Sequence, residues 1–377
     1  MWRLIIAVIL LLLSLLVLFK APTNFFWLVQ VAVTEFPWIS TLTSLVFFVS
    51  CLYADKFKIA LLTLSGLATF IYFLPVIEVY FRGKHLEHDL SKNFPFNQNI
   101  KHLDSPFSFT KMFSGIGIKE VQPEIFTYKK LPERELHLDF YKAALSGKRP
   151  CIIVIHGGSW AGGDSKQLPA LNSYLSNVGY HVAAINYRLA PTYKSPAPVE
   201  DTKEAMQYLI SHAENLNIDT TNFVLLGRSA GAQIALVAAY TFHDPNVKGV
   251  VSLYGPADMV WGARIKSNKL VLNTDKVFTD YLGALIDVLP EKYHEASSFD
   301  FAEQNSPPTL LIHGPNDALV SYYHSVRLNE KLESKHVPHY FLNLPWATHG
   351  CDYNICGPSG QISTYSIERF INSVTNQ

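Results

Sequence analysis

The residues Gly227-Arg228-Ser229-Ala230-Gly231 follow the apolar run Phe223 to Leu226 and open a helical pattern through Ile234 and Leu236. Strand, sharp turn and helix in that order lift a serine hydroxyl to the tip of a strand, above a helix N-terminus. Ser229 is therefore expected to be a nucleophile rather than an ordinary helix cap. A serine hydroxyl is a poor nucleophile at its free pKa, so a base and an orienting carboxylate must lie further along the chain. Asp317, in His313-Gly314-Pro315-Asn316-Asp317, comes just after the buried run Thr309 to Ile312. His349, in Ala347-Thr348-His349-Gly350, comes just after the last apolar run. The order Ser, Asp, His suits acyl transfer: His349 takes the Ser229 proton and later returns one, while Asp317 fixes the imidazole tautomer.

Rivals exist, since the chain has 14 histidines. His313 precedes the acid and breaks the order, so it is expected to be a packed strand-end residue. Asp352 stands too close to His349 in sequence to orient it. Asp258, in Tyr254-Gly255-Pro256-Ala257-Asp258, follows the preceding strand and is the alternative acid. The developing oxyanion needs donors, and His156-Gly157-Gly158-Ser159-Trp160 follows the run Cys151 to Ile155. Gly157 and Gly158, with the amide of Ala230, are expected to form the oxyanion hole, because glycine lets backbone N–H groups approach closely.

These loops need strands to hold them. Apolar runs at Cys151 to Ile155, His181 to Ile185, Phe223 to Leu226, Val247 to Leu253, Thr309 to Ile312 and Tyr340 to Leu344 alternate with helical patterns. That alternation predicts a doubly wound α/β layer with a mostly parallel sheet, whose site lies at the carboxyl ends of the strands. Ile125 to Tyr128 and Leu136 to Phe140 are expected to add an antiparallel pair. Helices are expected near Gln167 to Ser176, Val199 to Asn215, Gly231 to Tyr240, Tyr322 to Leu332 and Ile362 to Ser373. Residues Val260 to Gln304 are the candidate cap over a substrate pocket.

The N-terminus differs in kind. Trp2 to Phe19 is almost unbroken apolar sequence, with Arg3 at its start and Lys20 after it. At a rise of roughly 1.5 Å per residue it nearly spans a bilayer core. A signal peptide would have a shorter apolar region and a small-x-small cleavage site. Phe36 to Ala54 and Ile59 to Phe81 follow, separated by Asp55-Lys56-Phe57-Lys58, in the pattern of a helical hairpin. Three transmembrane helices are expected in residues 1–82, with Phe25 to Val33 lying along the interface. Residues 83–122 are polar and aperiodic and are expected to be a linker. Residues 123–377 form the expected catalytic domain.

Over 377 residues, Lys+Arg and Asp+Glu balance at 31 each, so no field favours nucleic acid. The 49% hydrophobic content, concentrated at the N-terminus, favours a membrane as partner. Of four cysteines, Cys51 and Cys151 sit in apolar runs. Cys351 and Cys356 flank a short loop after His349, and two readings stay open there: two free thiols, or a disulfide, which needs an oxidising compartment. Positive residues divide evenly about the three expected crossings, so only that possible bridge favours an extracytoplasmic catalytic domain.

Taken together, His156 to Trp160, Asn186-Tyr187-Arg188-Leu189-Ala190-Pro191, Pro198-Val199-Glu200-Asp201, the Ser229 turn, Tyr254-Gly255-Pro256, the Asp317 loop and Thr348-His349-Gly350 resemble one known group. It is the HGG-motif α/β-hydrolases, hormone-sensitive-lipase-like esterases and relatives of acetyl-xylan and feruloyl esterases, over about residues 125–375. The resemblance implies an α/β-hydrolase fold, carboxylic-ester hydrolysis and no metal or organic cofactor. It also implies that Ser229, Asp317 and His349 are the triad and that Tyr187 to Pro191 is structural support. Ser159 replaces the third glycine common in the lipase-like branch, and the apolar N-terminus lies outside the group's pattern. The expected substrate is a small or lipid-like ester. An amidase or peptidase on the same triad, and a non-catalytic interaction module, are the alternatives.

Overall fold

A computed structural model describes residues 1–95, 105–115, 119–265 and 268–375. Its strands are β1 (Glu124–Lys130), β2 (Glu135–Tyr141), β3 (Arg149–Ile155), β4 (His181–Ile185), β5 (Ile218–Arg228), β6 (Val247–Leu253), β7 (Thr309–His313) and β8 (His339–Asn343). They form one sheet in the order β1-β2-β4-β3-β5-β6-β7-β8. β1 and β2 pair antiparallel with each other, and β2 pairs antiparallel with β4. Every other pairing is parallel. The uninterrupted apolar stretches of β3 and β4 follow from burial on both faces.

Ahead of the sheet come α1 (Trp2–Ser14), α2 (Asn24–Glu35), α3 (Pro37–Cys51), α4 (Lys58–Asn93) and the short α5 (Lys111–Ser114). The first apolar run was expected to stay helical to Phe19. It instead tightens into a 3₁₀ turn at Leu15–Val17, and the chain then turns into α2, capped by the Thr23 hydroxyl on the Phe26 N–H. Pro37 opens α3, and the α2–α3 pair is bent by 86°. α3 and α4 form the expected hairpin and pack antiparallel: Thr69 Oγ1 donates to Ser44 Oγ at 2.9 Å, and Ser44 Oγ to the Ser65 carbonyl at 3.3 Å. α1 runs parallel to α4, with Tyr72 OH on the Leu10 carbonyl at 3.0 Å. Among the described residues one helix, α4, is long and apolar enough by itself to cross a bilayer, or two spans if the bent α2–α3 pair is taken as one. Three full-length crossings are therefore not what the helix lengths provide.

Residues 83–122 were expected to be a linker, but α4 runs through Gly83 to Asn93. Leu86, Leu90 and Phe94 are buried in the same apolar cluster as Val154, Leu226 and Phe370. A helix-period apolar stripe hidden among polar residues explains the miss. Residues 96–104 and 116–118 of the expected linker lie outside the described residues.

The remaining helices are α6 (Pro169–Asn177), α7 (Ala197–Ser211), α8 (Ala213–Leu216), α9 (Ala230–Thr241), α10 (Met259–Gly262), α11 (Thr274–Leu282), α12 (Pro290–Glu295), α13 (Ser298–Phe301), α14 (Tyr323–Ser334) and α15 (Pro358–Thr375). Alternate residues of each strand serve opposite faces. Ile153, Leu225, Val250 and Leu311 meet α7, α9 and α14. Ile152, Val154, Val224 and Leu310 meet α6 and α15. Leu16, Val17, Ala68, Ile71 and Val79 join that second cluster, so the N-terminal helices share a continuous core with one face of the sheet.

Candidate active site

β5 ends at Arg228 and α9 begins at Ala230. Between them Ser229 has φ 54° and ψ −119°, a conformation that a residue with a side chain adopts only under strain. Two glycines allow it. A Cβ on Gly227 would lie 2.2 Å from the Gly231 carbonyl oxygen, and one on Gly231 would lie 2.2 Å from that of Ile155. The turn thus presses α9 against β3 and leaves the Ser229 hydroxyl projecting.

Ser229 Oγ lies 2.9 Å from His349 Nε2, and His349 Nδ1 lies 2.7 Å from Asp317 Oδ2. The hydroxyl donates to Nε2 while Nδ1–H donates to the carboxylate. Asp317 is fully buried, and its Oδ1 accepts the N–H groups of Leu319 and Val320 at 2.8 Å each. Burial alone would raise this carboxyl, but His349 and His313 outweigh it and hold Asp317 well below the usual carboxylate range.

His313, expected to be a packed strand-end residue, is buried at the end of β7 and does more than pack. Its Nε2 donates to Asp317 Oδ2 at 3.0 Å, and its Nδ1 meets Ser325 Oγ at 2.8 Å. The other rivals serve elsewhere. Asp258 caps α10 through the Trp261 N–H and pairs with Arg327 at 2.7 Å. Asp352 accepts Arg228 Nε and Tyr254 OH, and the Tyr254 ring packs 4.6 Å from the His349 ring.

The expected oxyanion loop needs one correction. The Gly157 N–H already donates to Gln167 Oε1 at 2.8 Å, so it is not free to bind an oxyanion. Gly157 serves instead by being small, since a Cβ there would lie 3.2 Å from that of Ser229. Among the described residues no acceptor meets the Gly158 N–H. Ala230 stands in the first turn of α9, where N–H groups have no intrahelical partner. Ser159, outside the expected donor set, lines the cavity beside Ala230. His156 stacks on Tyr187 at 4.2 Å, and Tyr187 OH donates to its carbonyl at 3.1 Å. Burial pushes the His156 imidazole down to about 4, so it stays neutral at pH 7.

The cavity above Ser229 has a volume of about 420 Å³. Residues of the expected cap border it, among them Ile265, Val271, Val277 and Phe278. Lys20, Ala21 and Pro22, which join the 3₁₀ turn to α2, border it as well. Trp27 Nε1–H donates to the His349 carbonyl at 3.0 Å. Gln30 Oε1 accepts from Thr348 Oγ1 at 2.9 Å, while its Nε2 donates to the carbonyls of Leu16 and Phe19. Asn316 Nδ2 donates to the Val17 carbonyl at 2.9 Å. None of these partners was expected from the sequence, where Phe25 to Val33 offered only hydropathy and no catalytic motif. The cysteines resolve plainly: Cys351 and Cys356 are free thiols, Cys351 buried, and the reason for placing the domain on the extracytoplasmic side goes with the bridge. Among the described residues no cluster of three or more His, Cys, Asp or Glu side chains forms a metal site.

The sheet order, the serine turn after β5 and the loops after β7 and β8 define an α/β-hydrolase. Residues 138–332 match the BD-FAE family, and this chain belongs to it. Esterase LipC of Mycobacterium tuberculosis is 28% identical over 244 residues, covering 60% of this chain and 58% of that one. The probable carboxylic ester hydrolase LipM of the same organism is 26% identical, covering 58% of this chain and 54% of that one. The chain thus spans a little over half the length of these relatives. A bacterial heroin esterase has a similar fold, with a TM-score of 0.59 at 20% identity over 70% of this chain and 88% of that one. The acetyl ester-xyloside bifunctional hydrolase of Caldicellulosiruptor lactoaceticus has a TM-score of 0.51 at 24% identity, covering 61% and 88%.

Proposed function

We propose that this protein is a membrane-anchored serine esterase that cleaves carboxylic esters through an acyl-enzyme. The observation that carries the reading is the hydrogen-bonded path from Asp317 through His349 to Ser229 at the floor of a cavity. His349 Nε2 accepts the hydroxyl proton as Ser229 Oγ bonds to the ester carbonyl carbon. The carbonyl oxygen becomes an oxyanion held by the Gly158 and Ala230 amides, and loss of one such donor typically costs about 2.7–4 kcal/mol. The imidazolium then protonates the leaving alcohol as the C–O bond breaks. Water, deprotonated by His349, attacks the acyl-serine, and collapse of that second intermediate frees the carboxylic acid and restores Ser229. The mycobacterial relatives named as ester hydrolases support an ester over an amide. The complete relay speaks against a non-catalytic module.

For the membrane, α4 is the crossing helix, with α1 and α3 packed along it. Outward residues such as Ile5, Val46 and Phe70, each more than half exposed, support the placement of this bundle in lipid. In this reading residues 1–82 are the membrane segment and 123–377 the catalytic domain, with the polar half of α4 joined to the latter. The test is labelling of the detergent-solubilised protein by a fluorophosphonate probe, with Ser229→Ala alongside, and hydrolysis of p-nitrophenyl esters of graded chain length. Labelling that vanishes in the variant, with turnover, is expected; an unlabelled folded protein overturns the reading. Retention in the membrane pellet after an alkaline carbonate wash is expected for the anchor, and release overturns it.

A further inference from the structure

Helix α2 is apolar outward as well as inward, where Val33 joins the core with Phe26, Trp27 and Val29 packed against it. Gln30, Thr34 and Glu35 are fully buried against the protein, whereas Phe25 and Leu28 are 68% and 55% exposed, with Ala32 exposed on the same stripe. A surface helix bathed in water turns polar residues outward instead. The inward polar groups are all engaged: Gln30 with Thr348 and two carbonyls, Thr34 with the Gln30 carbonyl, and the Glu35 carboxyl group with the N–H and hydroxyl of Ser359. Among the described residues nothing covers the outward apolar stripe.

Its position in the bundle says what covers it. α1 runs with α4 and α3 runs against it, so the N-terminus and the α3–α4 turn share one end of the bundle. The other end holds the last residues of α1, the first of α3 and the middle of α4. There α2 crosses at 86° to α3, as a helix lying in the plane of a membrane surface would cross a spanning one. The same end carries the catalytic cavity. Pro22 at its rim is tied to the cap by Asn268 Nδ2 on the Pro22 carbonyl at 2.7 Å, and the Asn24 N–H donates to the Leu270 carbonyl at 3.0 Å. Around this rim Phe19 is 62% exposed and Leu270 71% exposed. Such apolar groups gather where lipid, not water, is the neighbour.

We infer that the cavity opens onto the bilayer surface beside α2, and that its substrate is an amphiphilic acyl ester resident in that bilayer, reaching Ser229 by lateral movement. The inference rests on the esterase reading and adds where the ester comes from. Phe19 and Leu270, exposed beside Lys20 and Asn268, give an acyl chain an apolar path from lipid to the cavity, sparing the free energy that each methylene exposed to water costs.

The test uses the full chain reconstituted in vesicles of ether-linked phosphatidylcholine, a host with no ester of its own. Dioleoylglycerol is placed either in the bilayer that holds the protein or in separate protein-free vesicles at the same total concentration. Ester sharing the bilayer is expected to be hydrolysed about tenfold faster or more, from its higher effective concentration. Equal rates overturn the inference and leave a second protein as the cover for α2. No hydrolysis of dioleoylglycerol, while p-nitrophenyl butyrate is turned over, overturns it too. Absence of both p-nitrophenyl turnover and fluorophosphonate labelling fails the esterase reading instead.

Discussion

The indole of Trp27 donates to the backbone carbonyl of His349 across 322 residues of chain, with the two rings edge to face at 6.3 Å. A side chain of the N-terminal segment thus holds the turn that carries the proposed general base. Trp27→Phe keeps a ring there and removes the donor. One neutral hydrogen bond is worth about 0.5–1.5 kcal/mol, so kcat on a short p-nitrophenyl ester is expected to fall about two- to tenfold. KM and the thermal midpoint should change little. A fall in the midpoint with kcat unchanged would mean that Trp27 serves stability alone.

Asp317 governs a second expectation, in pH. Its folded pKa lies below its unfolded value, so its contribution to stability is complete above about pH 4 and is lost as pH falls through the folded value. Denaturant midpoints of the wild type should therefore decline below about pH 4. In Asp317→Asn that part of the decline should disappear. The same variant should lose on the order of 10⁴ in kcat, because the carboxylate no longer fixes the imidazole tautomer.

Gly158 has φ +122°, and a Cβ there would fall 2.1 Å from the Gly162 carbonyl oxygen. Gly158→Ala must displace the loop that carries the proposed oxyanion donor. A loss of roughly 10²-fold or more in kcat is expected, read by steady-state hydrolysis of a p-nitrophenyl ester. Retained activity would take Gly158 out of the oxyanion hole.

Arg228, beside the proposed nucleophile Ser229, is 1% exposed, and its Nε donates to Asp352. Asp352→Ala leaves that guanidinium buried without its carboxylate and should cost about 3–5 kcal/mol in denaturant unfolding. Asp258→Ala takes a partner from Arg327, whose side chain is 36% exposed, and the cap from α10, and should cost less, about 0.5–2 kcal/mol. Equal costs would show that burial of Arg228 is not what makes its pairing matter.

The strands and the relay were legible because their signals are local. An apolar run of five residues followed by a glycine-flanked serine, or by a loop with an aspartate, carries its own context. All eight expected strands form, and Ser229, His349 and Asp317 meet within hydrogen-bonding distance. The rest depends on contacts between residues far apart in sequence. Nothing near Gly157 says that Gln167 will take its N–H, since that requires the loop between them to fold back. The extension of α4 past Gly83 was hidden because its buried residues, Leu86 and Leu90, stand among charged ones. Gln30 resembles any polar residue in an apolar helix until the carbonyls of Leu16 and Phe19 are brought to it.

Helix α4 stays helical through Pro75, from its apolar half into the half that packs on the sheet and meets Arg369 through Glu87. Such a connection is a strut. In the proposed membrane placement no loop separates anchor from enzyme, so Ser229 is expected to ride at about one height above the lipid. A hydrolase mounted in that way selects by depth: an ester bond at the level of its mouth is within reach, whereas the same bond deeper among the acyl chains, or on a facing membrane, is not.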